Sequence, residues 1–291
     1  MFFAEMLVVS ATFAATSSEW SHLNTTTLQL RSSAALVVDD QGQIVYEKHS
    51  TDVKPIASVT KLMTAMVVLD AGLPLDEKIT ILEADRDSLR HSRSRLRTNL
   101  ATLTRGEMLT IALMSSENRA AAALGRTSLP GGTPTFVETM NRKAKALGMY
   151  KTQFADASGL KAGNRSTPAD VVRMVRAAAN YHFIREATTT AELTVSPYVS
   201  GATLDYRNTN PLVRNANPDW RIGLSKTGYI NEAGRCLVMQ ASIGGRSLYI
   251  VLLDSFGKLT PVGDSNRLRK WLESELGKQR QSAVDGDGGK G

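Results

Sequence analysis

Ser58 and Lys61 are residues whose types and spacing could do chemistry, a hydroxyl nucleophile three positions before an amine. Three residues of α-helix turn through about 300°, so a helix here would put both side chains on one face with the hydroxyl inside reach of the amine. A nucleophile beside a base is the starting point for acyl transfer. A free lysine, with a pKa near 10.4, is only about one part in 2,500 neutral at pH 7, so a working base needs roughly three units of depression, about 4 kcal/mol. Burial and a second cation can supply this, and the positive end of a helix acts more weakly in the same direction.

The stretch around the pair, PIASVTKLMTAMVVLD over residues 55–70, predicts the required helix. Pro55 is a natural helix starter, and Gly72 with Pro74 supplies the stop. Leu62 to Leu69 is apolar nearly all round, which predicts a helix buried at a domain centre. The spacing alone is not specific, because a chain of this length holds about one Ser-x-x-Lys by chance. Ser158-Gly159-Leu160-Lys161 also fits, but it follows Asp156 in a Gly-rich stretch without helical period and reads as loop. A helix-start serine and a snorkelling lysine would give the same letters at 58 and 61.

Two further motifs decide the matter. Ser116-Glu117-Asn118 and Lys226-Thr227-Gly228 follow in order, the combination that accompanies a helical Ser-x-x-Lys in penicillin-binding proteins and class A β-lactamases. Ser116 lies where one helix pattern ends and the next begins, so it can project toward Ser58 and relay a proton to a leaving amine. Asn118 can hold Lys61 or a substrate carbonyl. Lys226 to Gly228 opens a strand, where Gly228 lets a substrate backbone come close and Thr227 and Lys226 can meet a carboxylate. The charge of Lys226 is expected to help keep Lys61 neutral. No Gly-x-Ser-x-Gly elbow is present.

Composition is consistent with this reading. A chain of 291 residues with net charge +7 suits an anionic partner. The densest basic run, Arg86, Arg90, Arg93, Arg95 and Arg97, has no interleaved aromatic residue, which favours a solvated face or a contact with substrate carboxylates over nucleic acid. The four histidines lie far apart and there is one cysteine, so no zinc pattern and no internal disulfide is available. Cys236, in an apolar strand-like run, reads as a small core residue.

The elements that must position these residues follow from periodicity. Residues 1–15 form a short apolar run ending in small residues, expected to be a signal peptide. Residues 16–33 are expected to be a flexible lead-in, and residues 34–278 the catalytic domain. Ala34 to Tyr46 reads as a hairpin around Asp-Asp-Gln-Gly. Helical patterns cover Glu107–Met114, Asn118–Leu124, Phe136–Leu147 and Pro168–Ala179, with a loop from Thr152 to Arg165. Strands follow over Gly223–Ile230, Arg235–Ala241 and Ser247–Leu253, then a helix over Asp264–Leu276, and a tail from Gln279 expected to be disordered. Strands at both ends with helices between them predict an α/β (α+β) fold, one antiparallel sheet made by the terminal strands and covered by helices.

PIASVTKLMTAMVVLDAGLPLDEK, ALMSSENRAAAALG, LSKTGYINEAGRCLVMQ and the closing RLRKWLE together resemble the D-alanyl-D-alanine endopeptidases of the penicillin-binding protein 7 type, within the low-molecular-mass serine DD-peptidases. The resemblance covers Ala34 to Glu275. It implies a transpeptidase-like fold, a periplasmic location, no cofactor or metal, covalent capture of β-lactam antibiotics, and cleavage of D-alanyl to meso-diaminopimelyl cross-links in peptidoglycan. By motif, Ser58 would be the acyl-ester nucleophile, Lys61 the proton acceptor, Ser116 and Asn118 the second motif, and Lys226 a substrate contact. The amides of Ser58 and Tyr229 would form the oxyanion hole. The related carboxypeptidases carry a further C-terminal domain and a membrane anchor, whereas here a short polar tail follows the last helix; this favours the endopeptidase branch and at most a loose membrane association. Glu-x-x-Leu-Asn, the segment that supplies the deacylation base of class A β-lactamases, does not occur, so a penicillin adduct should persist. A D-alanyl-D-alanine carboxypeptidase, or a peptidoglycan-binding protein without turnover, are the competing readings, and nothing in the sequence specifies an oligomeric state.

Overall fold

The computed structural model describes residues 20–287, which leaves the expected signal peptide outside the described residues. A five-stranded antiparallel sheet is built from β1 (Ser32–Asp39), β2 (Ile44–Lys48), β3 (Arg221–Ile230), β4 (Gly234–Ile243) and β5 (Arg246–Ser255), in the order β2-β1-β5-β4-β3. The two ends of the chain therefore meet at the centre of one sheet, with Val37 opposite Ile250 and Val238 opposite Val251. Both faces are covered, which is why β1, β4 and β5 are almost continuously apolar rather than alternating.

Alternation is still visible in which layer each residue meets. Ala34, Leu36, Cys236, Val238, Val251 and Leu253 face a large core formed with the helices. These are α1 (Lys61–Asp70), α2 (Arg105–Met114), α3 (Asn118–Thr127), α4 (Gly132–Ala146), α5 (Pro168–Ala178) and α6 (His182–Thr189). The intervening Val37, Leu237, Met239, Ile250 and Leu252 face a second core closed by α7 (Thr260–Asp287) through Leu268, Trp271, Leu272 and Leu276. Lys226 stands opposite Val238 and Gly228 opposite Cys236, so both belong to the register positions that look toward the helical layer.

Three expectations are corrected. The lead-in is packed: Trp20, Leu23, Leu28 and Leu30 are buried in the second core, and Trp20 Nε1 donates to Asp39 Oδ2 at 2.7 Å. Its four apolar residues lie too far apart to show a period, yet they cover an apolar sheet face. The last helix runs from Thr260 to Asp287, past the expected start of a disordered tail at Gln279, because backbone hydrogen bonding propagates through the polar residues once the Leu268–Leu276 face is docked. The central helix also starts later than Pro55, which pairs with Arg165 in a two-residue strand; a 3₁₀ turn, Ala57–Thr60, precedes α1. Lys61 to Val68 are all buried, so this helix is enclosed as its composition requires.

Candidate active site

Ser58 sits in the 3₁₀ turn and Lys61 is the first residue of α1, a tighter arrangement than one continuous α-helix. Lys61 Nζ is 2.9 Å from Ser58 Oγ. The turn is held against two glycine backbones. A Cβ on Gly228 would stand 2.9 Å from the Ile56 carbonyl and 3.1 Å from the Ser58 amide, so strand β3 approaches the backbone at Ser58 only because position 228 has no side chain. Gly159, at φ +84, packs closer still, and a Cβ there would lie 2.0 Å from the Ala57 carbonyl.

The second motif occupies the joint between α2 and α3. Ser116 adopts a left-handed φ of +63, uncommon for a side chain with a Cβ, and this turns its hydroxyl to Lys226 Nζ at 3.1 Å. Glu117 accepts the Arg119 amide and so caps α3, whose first residue is Asn118. Asn118 Oδ1 accepts from Lys61 Nζ at 2.8 Å, and its Nδ2 donates to Ser92 Oγ at 3.1 Å. Lys226 Nζ also donates to the Thr227 carbonyl at 2.9 Å, and Thr227 Oγ1 donates to Thr209 Oγ1 at 2.7 Å. A cleft of about 580 Å³ opens over Ser116, Asn118, Thr227, Gly228 and the half-exposed Tyr229, whose ring lies under the Arg235 guanidinium at 3.8 Å. All eight residues singled out from sequence thus converge on one place.

Burial lowers the Lys61 amine to about 7, against the opposing pull of the Asp156 and Glu117 carboxylates. Three groups surround this amine: Ser58 Oγ, Asn118 Oδ1 and the Ser158 carbonyl at 2.6 Å. A neutral amine has two N–H groups and one lone pair. The amide and carbonyl oxygens can only accept, so they take the two N–H groups and leave the lone pair for the Ser58 hydroxyl proton. That is the geometry of a general base on a serine nucleophile. Lys226 is pushed well below the usual lysine range by burial and by the charge of Lys61, and among the described residues no carboxylate hydrogen-bonds to it. The repulsion between the two amines is mutual, so each disfavours the charged form of the other.

Several residues at the site carried no sequence signal. Ser158 lies in a loop, as its Gly-rich context indicated, yet its backbone carbonyl reaches Lys61. A main-chain acceptor leaves no mark in residue type. Asp156, the carboxylate of that loop, is consumed internally: Oδ1 accepts the Ser158 and Gly159 amides at 2.6 and 2.5 Å, and Oδ2 accepts the Lys161 amide at 2.7 Å. Arg90 of the basic run ties the 152–165 loop to the turn after β3, donating to the Leu160 carbonyl at 2.6 Å and to Glu232 at 2.8 Å. Cys236 is buried on β4 beside Gly228, where burial pushes its thiol up to about 12, consistent with a core residue.

Comparison with known proteins places the chain. Residues 21–257 match the model of the D-alanyl-D-alanine carboxypeptidase family of peptidases. The chain belongs to this family. It is 46% identical over 247 residues to a D-alanyl-D-alanine endopeptidase of Pseudomonas aeruginosa, covering 84% of this chain and 78% of the relative. An Escherichia coli protein of the same name is 44% identical with the same coverage. The fold matches the crystal structure of a Listeria monocytogenes penicillin-binding protein in its cefotaxime-bound form, with a TM-score of 0.70 and 30% identity over 84% of this chain and 98% of that one. The chain is a serine DD-peptidase of α+β fold, a hydrolase of cell-wall peptides.

Proposed function

We propose that this peptidase is a periplasmic DD-endopeptidase that cuts D-alanyl to meso-diaminopimelyl cross-links through an acyl-enzyme on Ser58. The observation that carries the reading is the Lys61 amine held between Ser58, Asn118 and the Ser158 carbonyl, taken with relatives named D-alanyl-D-alanine endopeptidase at 46% and 44% identity. Ser58 Oγ attacks the D-alanyl carbonyl as its proton passes to Lys61 Nζ. The Ser58 and Tyr229 amides receive the oxyanion. Breakdown of the tetrahedral adduct expels the diaminopimelyl amine, which takes a proton relayed by Ser116, and Lys226 and Thr227 hold the carboxylate beside that amine. Water then hydrolyses the ester and regenerates Ser58.

The same steps act on a β-lactam, whose opened ring stays attached to Ser58. With Asp156 engaged by backbone amides, no carboxylate of the 152–165 loop is available as a deacylation base, and the adduct should persist. Export fits the apolar residues 1–15, and no helix among the described residues is long and apolar enough to cross a membrane.

Chromatography of purified muropeptides tests the reading. Dimers should fall to monomers faster than D-alanine leaves free pentapeptides, and mass spectrometry should find a stable penicillin adduct on the Ser58 peptide. Release of D-alanine with dimers untouched would make the protein a carboxypeptidase.

A further inference from the structure

Beside the second motif lies a groove of about 590 Å³ that the mechanism above does not use. Its walls carry Arg86, Arg93, Arg95, Arg119 and Arg207 against the two acids Asp87 and Glu117. The acids are already occupied: Asp87 accepts the amides of Leu89, Arg90 and Ser92, and Glu117 caps α3 through the Arg119 amide. Arg86 and Arg207 share their charge with Glu83 and Glu192 at the rim. The inner cations are differently placed. Arg95 lies 4.6 Å over the Tyr206 ring, anchored by the Asp205 carbonyl. Arg119 donates to the Leu96 carbonyl while its buried Nε has no hydrogen-bond partner among the described residues. Arg93 is exposed and, among the described residues, has neither an ion pair nor a hydrogen bond.

This groove adjoins the reacting centre. Ser92 and Ser115 line it; Ser92 accepts from Asn118, and Asn118 holds Lys61. Whatever occupies it is contiguous with a substrate acylating Ser58. We infer that it is a carboxylate subsite for the peptide strand joined through the scissile bond, with Arg93 as its specificity-determining cation. The inference rests on the endopeptidase reading and deepens it. Forming a cross-link converts a side-chain ammonium into a neutral amide while the strand keeps its carboxylates, so a cross-linked strand is more anionic than the monomer it came from. A cationic groove distinguishes the two by charge. Cleavage restores the ammonium within the same field of guanidinium groups, which favours release of that strand.

Binding and cleavage are measured separately so that the two readings can fail separately. Ser58→Ala protein, unable to acylate, is titrated with purified muropeptide dimers and with dimers whose carboxylates are amidated, with and without Arg93→Glu. A charge-assisted contact predicts about a tenfold loss of dimer affinity on Arg93→Glu, a smaller loss on Arg93→Ala, and at least as large a loss on amidation, which also removes the carboxylate held by Lys226 and Thr227; after amidation Arg93→Glu has little further effect. In otherwise native enzyme, Arg93→Glu should raise KM for dimers with kcat nearly constant. Unchanged dimer affinity in Arg93→Glu, or equal binding of amidated and native dimers, overturns the subsite. Dimers that bind Ser58→Ala protein in an Arg93-dependent way but survive the native enzyme overturn the endopeptidase reading and leave the groove standing.

Discussion

The amine of Lys61 lies 2.6 Å from the backbone carbonyl of Ser158, nearer than to the Ser58 hydroxyl at 2.9 Å. A carbonyl cannot donate, so this contact fixes one N–H and, with Asn118 Oδ1, determines where the lone pair points. The base is aimed by a loop carrying the chance copy of its own motif.

That aim depends on Gly159. A Cβ there would overlap the Ala57 carbonyl at 2.0 Å, in a backbone conformation that disfavours any side chain. Gly159→Ala should therefore force the loop off the 3₁₀ turn, at a cost of about 2–4 kcal/mol in stability, and should slow penicillin acylation more than about tenfold. Thermal unfolding and acylation kinetics measured together check this. A variant as stable and as fast as the native enzyme would show that the Ser158 carbonyl does not aim the base.

Acylation should rise with pH about tenfold per unit below 7 and level off above it. The reactive form of Lys61 is the neutral amine, and burial brings its titration to about 7. The sign for stability follows from the same shift. Between about pH 7 and 10 the folded protein has released a proton that the unfolded chain still binds, so this group's contribution to stability rises with pH across that window. Stopped-flow acylation over pH 5–10 gives the midpoint, and a midpoint near 10 would show Lys61 as an ordinary lysine.

Asn118→Asp tests the polar side of the same amine. A carboxylate 2.8 Å from Nζ would favour the ammonium, raising the Lys61 titration and moving the acylation profile to higher pH by at least about one unit. Asn118→Ala removes the acceptor without adding charge, so its rate should fall at every pH with the midpoint little moved. Identical profiles for the two variants would separate Asn118 from the base.

How far the chain is legible without its structure varies with the kind of interaction. The sheet and the apolar α1 follow from period and composition, because burial on both faces writes itself into residue type. The three motifs are legible because their side chains do the work. The Ser158 carbonyl, the close backbone approaches at Gly159 and Gly228, and the partners Ser92 and Thr209 are not, since they act through main-chain atoms or through single residues of common type. The packed lead-in escaped for another reason: Trp20, Leu23, Leu28 and Leu30 lack a common period and gain their burial from a sheet face made mostly by the other end of the chain.

The two lysines should fail differently when changed. Lys226 is lowered by burial first and by the charge of Lys61 second, and its contacts are the Ser116 hydroxyl and the Thr227 carbonyl. A lysine lowered in this way carries less charge than an exposed one, which reduces its field at Lys61. Since kcat/KM reports free-enzyme titrations, Lys226→Ala should leave the midpoint of kcat/KM for penicillin near 7 while lowering its plateau, because a carboxylate-bearing ligand loses its contact. Arrival of that carboxylate in the native enzyme should draw a proton onto Lys226 and, through the new charge, lower Lys61 in the complex. Binding to Ser58→Ala protein at pH 7–8 should then take up a proton, measurable by calorimetry in buffers of different ionisation enthalpy, and the uptake should vanish in Ser58→Ala/Lys226→Ala. A kcat/KM midpoint that climbs in Lys226→Ala, together with no proton uptake on binding, would mean that Lys226 is already charged in the free enzyme and that its field, rather than burial alone, holds Lys61 near 7.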